Sequence, residues 1–259
     1  MTRFATWNVN SLNARQQRVE QWLADIRPDI VCMQETKLAD DAFPALAFES
    51  LGYESAHHGA GRWNGVAILS RAGLTGVTLG FGDDAAPDPE ARLITARCGD
   101  LVVVGVYAPN GRALGSEHYE YKLCWFARLH DHLDAVTEPG DAVIIAGDFN
   151  VAPTDADVYD PAAFVTETHT SAPEREAITA LAERGYTDVF RARYPDAPSV
   201  YSWWDYRRGD FHEGRGLRID LVLATEPVAD RVEWAVIDRN ARKGTQPSDH
   251  APVVVDLAD

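Results

Sequence analysis

Six short apolar runs of the sequence border an acid, an amide, a phenol or an imidazole. They are RFATWNVN (3–10), DIVCMQETK (29–37), LVVVGVYAPN (101–110), VIIAGDFN (143–150), RIDLVLA (218–224) and SDHAPVVV (248–255), the last with its polar cluster first. Runs this short, bounded by turn residues, read as buried strands. Functional groups concentrate where such strands meet loops. Asn8, Glu35, Tyr107, Asp148, Asn150, Asp220, Asp249 and His250 are therefore expected on one rim. The set offers hard oxygen ligands and a single imidazole, with almost no sulfur or hydroxyl nucleophile. It suits Mg²⁺-dependent attack of water on a phosphate ester, with Mn²⁺ able to substitute.

Each string has its own chemistry and its own blander reading. In GDFN (147–150), positions i and i+2 of a strand share a face. Asp148 would take a proton from water while Asn150 orients the nucleophile or a phosphate oxygen, although such a string also occurs in ordinary turns. Glu35 ends a buried strand, a natural place for a Mg²⁺ ligand; pairing with Lys37 or an arginine is the alternative. His250 stands ahead of one strand and Asp220 within another, and a carboxylate that fixes an imidazole can stabilise or protonate phosphate oxygens. In an extended segment Asp249 faces away from His250, toward metal or water. The Tyr107 phenol would donate to a phosphate oxygen, or simply close a strand as a half-buried aromatic.

The segment YSWWDYRRGDFHEGRGLRID (201–220) interleaves aromatics, arginines and glycines. Stacking faces beside guanidinium groups suit extruded sugars, bases and phosphates. Arg112, Arg207 and Arg208 are the candidate phosphate contacts. Trp203 and Trp204 cannot both face one core from a strand, so one of them belongs to a pocket or the surface.

These groups need a scaffold of mixed strands and helices. Val19, Trp22, Leu23 and Ile26 recur at helical spacing, and Pro28 follows the expected helix end. Strands are expected over 29–35, 66–71, 76–79, 93–98, 101–107, 143–149, 200–204, 218–224, 231–237 and 252–257, with Gly99–Asp100 as a tight hairpin turn. Helices are expected over 117–136 and 174–184, the second introduced by Ser171 and Pro173 and closed by Gly185. Several strand pairs are hairpin-connected, which favours two antiparallel or mixed sheets packed face to face with helices outside.

A chain of 259 residues with 46% hydrophobic content can bury a substantial core, and one domain over 1–259 is expected. No stretch approaches the roughly 18–20 apolar residues that cross a bilayer, and no signal peptide is visible. Cys32, Cys98 and Cys124 show no metal spacing and read as buried thiols, which points to a reducing cytoplasm. The net charge of −16 argues against broad nonspecific nucleic-acid binding. Local basic grooves remain open to it, since arginines cluster in 207–218 and 239–243 while the acid excess lies in runs such as 83–90 and 155–160.

Taken in order, the strings WNVNSL, PDIVCMQETK, GVAILSR, YAPN, GDFNVAPTD, PERE, SWWDYR, RGLRIDLVLA and PSDHAPV resemble the exonuclease III family of DNA-repair nucleases, within the endonuclease/exonuclease/phosphatase superfamily. The resemblance spans nearly the whole chain, and SWWDYR with RGLRID belongs to the DNA-repair branch. It implies a DNase I-like α/β four-layered sandwich of two mixed β-sheets flanked by helices. By resemblance, Glu35 is a metal ligand placed with the help of Asn8, and Asp249 lies in the metal region. Asp148 and Asn150 handle the attacking water, and Asp220 supports His250, which contacts the scissile phosphate with Tyr107 nearby. Trp203, Leu217 and Ile219 match positions that line the pocket for a flipped abasic sugar. The implied partner is double-stranded DNA with abasic sites or with recessed or blocked 3′ ends, and the implied enzyme is a monomer at the nucleoid. One departure stands out: His169, before the PERE helix, occupies a position where many abasic-site endonucleases carry a small residue such as glycine. A phosphoesterase acting on a non-DNA substrate and a non-catalytic DNA-binding homologue are the alternatives.

Overall fold

The computed structural model describes residues 1–83 and 88–259, and of Arg208 the backbone only. In chain order the elements begin β1 (Thr2–Asn8), α1 (Leu12–Ile26), β2 (Ile30–Gln34), α2 (Ala45–Ser50), β3 (Glu54–His58) and β4 (Val66–Ser70). Then come β5 (Thr75–Leu79), β6 (Leu93–Cys98), β7 (Leu101–Tyr107), α3 (Glu117–Val136), β8 (Val143–Asp148) and α4 (Ala172–Glu183). The last third holds β9 (Thr187–Asp188), α5 (Val189–Arg193), α6 (Asp210–Glu213), β10 (Asp220–Ala224), α7 (Glu226–Ala229), β11 (Val232–Ile237) and β12 (Val253–Leu257). Two mixed six-stranded sheets result, ordered β11-β12-β1-β2-β4-β3 and β5-β6-β7-β8-β10-β9. In each sheet one parallel pair, β1 with β2 and β7 with β8, sits among antiparallel neighbours.

Alternation along the strands makes the layers. Phe4, Ile30, Cys32 and Ile68 of one sheet meet Ile94, Val103, Ile144 and Val222 of the other in a shared core. The opposite faces are covered by helices: Trp7, Val31 and Leu69 pack on Leu12, Val19 and Leu23 of α1, while Val104, Val106 and Ile145 pack on Trp125, Phe126 and Leu129 of α3. Because both faces of both sheets are buried, the central strands read as continuous apolar runs. This is the four-layered sandwich that the resemblance implies.

Two expectations need correction, and two elements were missed. Residues 200–204 form no strand; Trp203 alone makes isolated bridges, to Leu217 and to His250. Its neighbours bond to two different segments, Ser202 N to Leu217 O and Trp204 N to Asp249 O, so the run pairs with no single strand and does not become a ladder. Cys124 is exposed on α3, whereas Cys32 and Cys98 are buried; the thiol falls on the solvent side of the amphipathic helix. β3 and α2 were not foreseen. β3 is a half-buried edge strand rich in histidine, with little apolar alternation. Part of the acidic run 83–90 lies outside the described residues.

Candidate active site

Tyr107, Asp148 and Asp220 stand in one transverse row. Tyr107 is in register with Asp148 across parallel β7 and β8, and Asp148 with Asp220 across antiparallel β8 and β10. Gly147 permits this row, since a Cβ there would lie 1.8 Å from the Val106 carbonyl oxygen. The facing sheet supplies Asn8 at the end of β1, Glu35 just past β2, and His250 ahead of β12. Glu35 and Lys37 both adopt left-handed backbone, at φ 52° and 54°. The turn is held by Ser11 N donating to Glu35 O (2.7 Å) and by Lys37 N donating to Asn64 O (2.8 Å).

The Asn8 amide joins the two sheets. Its Nδ2 donates to Glu35 Oε1 and to Asp148 Oδ2, both at 2.9 Å. Glu35 Oε2 pairs with Lys37 Nζ at 2.9 Å. Asp148 Oδ1 accepts from Asn150 N at 2.9 Å. His250 Nδ1 lies 2.8 Å from Asp220 Oδ2, and its Nε2 lies 3.8 Å from Asp148 Oδ2. Ser202 Oγ accepts from the amides of Ile219 and Asp220 and so secures the acid.

Electrostatics then sets protonation. Burial alone would lower the His250 pKa, but the Asp220 and Asp148 carboxylates outweigh it and push it up to about 10. At neutral pH this favours an imidazolium, with Nδ1–H donating to Asp220 and Nε2–H turned toward Asp148 at 3.8 Å. Burial, reinforced by Asp220 and Glu35 against the charge of His250, raises Asp148 to about 7. Glu35 goes the other way: burial would raise it, yet the Lys37 charge and the Asn8 hydrogen bond hold it below the ordinary value. Burial and then the neighbouring Glu35 push Tyr107 well above the ordinary phenol range, so it stays a neutral donor. Arg92 stacks on that ring at 4.3 Å and donates to Tyr107 O.

The donor set fits a hard divalent cation. Ligand atoms of Glu35, Asp148 and His250 lie within 4.8 Å of one another. The imidazolium has no free lone pair, which leaves the two carboxylates as the groups that would hold the ion. Buried Asp220 Oδ1 has no hydrogen-bond partner among the described residues and adds negative potential beside them. Oxygen donors without sulfur favour a hard cation over softer metals.

Several expected residues take different parts. Asn8 acts through the two acids: its Oδ1 accepts from Asn10 N, and its nitrogen faces the carboxylates. Asp249 stands apart from the acid cluster, with Oδ1 accepting from Asn10 Nδ2 (2.9 Å) and Oδ2 from Trp203 Nε1 (3.2 Å). Asn150 does not share a strand face with Asp148, because β8 ends at Asp148 and Asn150 turns at φ 51°. Its Nδ2 donates to Ala108 O, and its Oδ1 accepts from Asn110 Nδ2.

Leu217 and Ile219 are buried with Ala152 and Val158, and half-buried Trp203 packs against them. They form the wall behind Trp203 while Trp204 is wholly in the core. Arg112 and Arg207 are exposed, and Arg207 pairs with Asp205. Arg208 lies in the same short turn, its side chain outside the described residues.

His169 is half-buried beside Asn150. Its Nδ1 is 2.6 Å from Asn150 O, so that nitrogen carries the proton, and Asn110 Nδ2 approaches Nε2 at 3.5 Å. Burial and then the nearby Lys122 charge lower its pKa to about 4, keeping the ring neutral. Its backbone is left-handed at φ 80°, a conformation that favours glycine. Residues that sequence reasoning missed include Arg92, Asn110 and Lys122; Lys122 reads as one more charge on a long helix.

The sequence profile of the endonuclease/exonuclease/phosphatase family matches residues 5–250. Exodeoxyribonuclease III of Haemophilus influenzae is 32% identical over 268 residues, covering 97% of this chain and 98% of its own. An AP endonuclease structure from Archaeoglobus fulgidus superposes with a TM-score of 0.95 at 37% identity, covering 99% of both chains. A 3′ phosphatase, NExo, from Neisseria, solved with a product DNA hairpin, gives 0.95 at 39% identity and covers 100% of both. With this match along nearly its whole length and the row of acids and imidazole in place, the chain belongs to the endonuclease/exonuclease/phosphatase family, on its exonuclease III branch of nucleases.

Proposed function

We propose that this protein is a Mg²⁺-dependent DNA-repair nuclease that works chiefly at recessed or blocked 3′ ends of duplex DNA. The observation that carries the reading is the His250 imidazole, held 2.8 Å from Asp220 and facing Asp148 across the rim. Glu35 and Asp148 would hold the divalent ion, which when bound polarises the phosphate. His250 Nε2–H and the Tyr107 phenol donate to the non-bridging oxygens as negative charge builds there. Asp148 would take the proton of the attacking water as that oxygen bonds to phosphorus, the bond from phosphorus to O3′ breaks, and O3′ takes a proton from solvent. Asn150 orients that water or a phosphate oxygen through its fixed amide.

Preference for 3′ ends rests on His169. An internal abasic nucleotide must flip while duplex continues on both sides, and flipping costs a few kcal/mol. The imidazole beside Asn150 narrows that space, and the chain resembles the Neisseria 3′ phosphatase. Trp203 and the exposed arginines would hold the DNA rather than perform chemistry. A gel assay with an internal abasic site, a recessed 3′ end and a 3′-phosphate, with Mg²⁺ and with EDTA, tests the reading. Cleavage of none of these, with release of phosphate from a small phosphomonoester instead, would overturn it.

A further inference from the structure

Lys122 of α3 and Glu174 of α4 form an ion pair with both side chains fully buried. Neither touches the reacting groups. Burying two charges is costly, and such a pair is weak support for stability in itself. Its hydrogen bonds converge on the loops of the site. Lys122 Nζ donates to Asn150 O (2.7 Å) and, at 3.4 Å, to Asn110 O. Glu174 Oε1 accepts from His169 N (3.0 Å) and Thr168 Oγ1 (2.6 Å), and Oε2 accepts from Ser171 N (3.1 Å) and Oγ (2.6 Å).

Asn150 and His169 are both left-handed non-glycine residues, which persist only where the surroundings over-determine them. The pair supplies that determination. Asn150 O receives Lys122 from one side and His169 Nδ1 from the other, while Glu174 grips the amide of His169. We propose that Lys122 and Glu174 are positioning residues for the nuclease reaction: together they fix the Asn150 amide and the His169 imidazole relative to Asp148. A mere clamp between α3 and α4 would influence melting and leave turnover alone.

This inference rests on the proposed nuclease function, so its test needs one readout that does not. The variant is Lys122→Met with Glu174→Gln, which removes the pair without stranding a buried charge. Circular dichroism establishes the fold, and kinetics on a recessed 3′ end measure turnover. The expected result is a folded protein whose kcat falls at least tenfold with KM for duplex changed less than twofold. Long-range ¹H–¹⁵N spectra should show His169 protonated on Nδ1 in the unsubstituted protein and losing that single tautomer in the variant. Should that double variant not fold, Lys122→Gln with Glu174→Gln, which likewise leaves no buried charge, is read in its place, with the same losses expected. Unchanged kcat and an unchanged tautomer in a folded variant overturn the proposal. If the unsubstituted protein leaves DNA intact, the nuclease reading fails, while the imidazole spectra still report on the pair.

Discussion

His250 Nδ1 lies 2.8 Å from Asp220 Oδ2, and the two residues reach this contact from different sheets. His250 precedes β12 of the first sheet and Asp220 opens β10 of the second. The imidazole is therefore oriented by the packing of one sheet on the other. Its raised pKa is a product of the same packing, since Asp148 also comes from the second sheet.

Replacing Asp220 with Asn should lower the His250 pKa from about 10 toward the ordinary imidazole value of 6.5. Donation needs the imidazolium, so activity is present below that pKa and lost as pH rises through it. The alkaline limb of kcat should shift to lower pH, and kcat at pH 8 should fall by up to about 30-fold with little change in duplex KM. The stability that the pair contributes follows the same sign, being full below pH 6.5 and lost as pH rises through about 10. A pH–rate profile checks the shift; an alkaline limb that stays in place would make the pair purely structural.

Glu35→Ala should abolish Mg²⁺ activation, and Asp148→Asn should lower cleavage by at least about 10²-fold, with both proteins folded. Calorimetric titration with Mn²⁺ separates the two roles, because loss of binding is expected to be greater for Glu35→Ala. Full activity of the unsubstituted enzyme in EDTA would refute the metal assignment.

Exposed Arg207 and its sequence neighbour Arg208 should act through phosphates. Changing Arg207 and Arg208 to Ala should weaken duplex binding and reduce the log–log salt slope by about one unit per lost contact. Fluorescence anisotropy across a salt series measures it, and an unaltered slope puts these side chains off the DNA path.

His169→Gly should raise cleavage at internal abasic sites about tenfold, the effect of removing a ~1.4 kcal/mol obstruction. Glycine also accepts the φ of 80° found there. Release of phosphate from a 3′-phosphate should stay nearly constant, because Lys122 Nζ still holds Asn150 O and a 3′ end requires fewer contacts beyond the scissile bond. Parallel time courses on the two substrates decide it. Equal rates on both substrates in the unsubstituted enzyme would remove the role given to His169.

Sequence by itself determined where the strands end and which chemistry stands at those ends. Short apolar runs stopping at Asn8, Glu35, Tyr107 and Asp148 are local features, and a buried strand announces itself by composition and by the turn residues that close it. The two-sheet architecture was legible for the same reason. Tertiary structure alone decided the relations between runs far apart in the chain. Asn8 bridges Glu35 and Asp148 across the sheets, while Asp249, adjacent to His250 in sequence, turns instead to Asn10 and Trp203. No local pattern distinguishes buried Lys122 and Glu174 from ordinary helix charges, because their burial depends on α3 and α4 closing over the Asn150 and His169 loops. The left-handed turns at Glu35, Asn150 and His169 escape sequence reading likewise, since these residues take that conformation only where surrounding hydrogen bonds hold them in it.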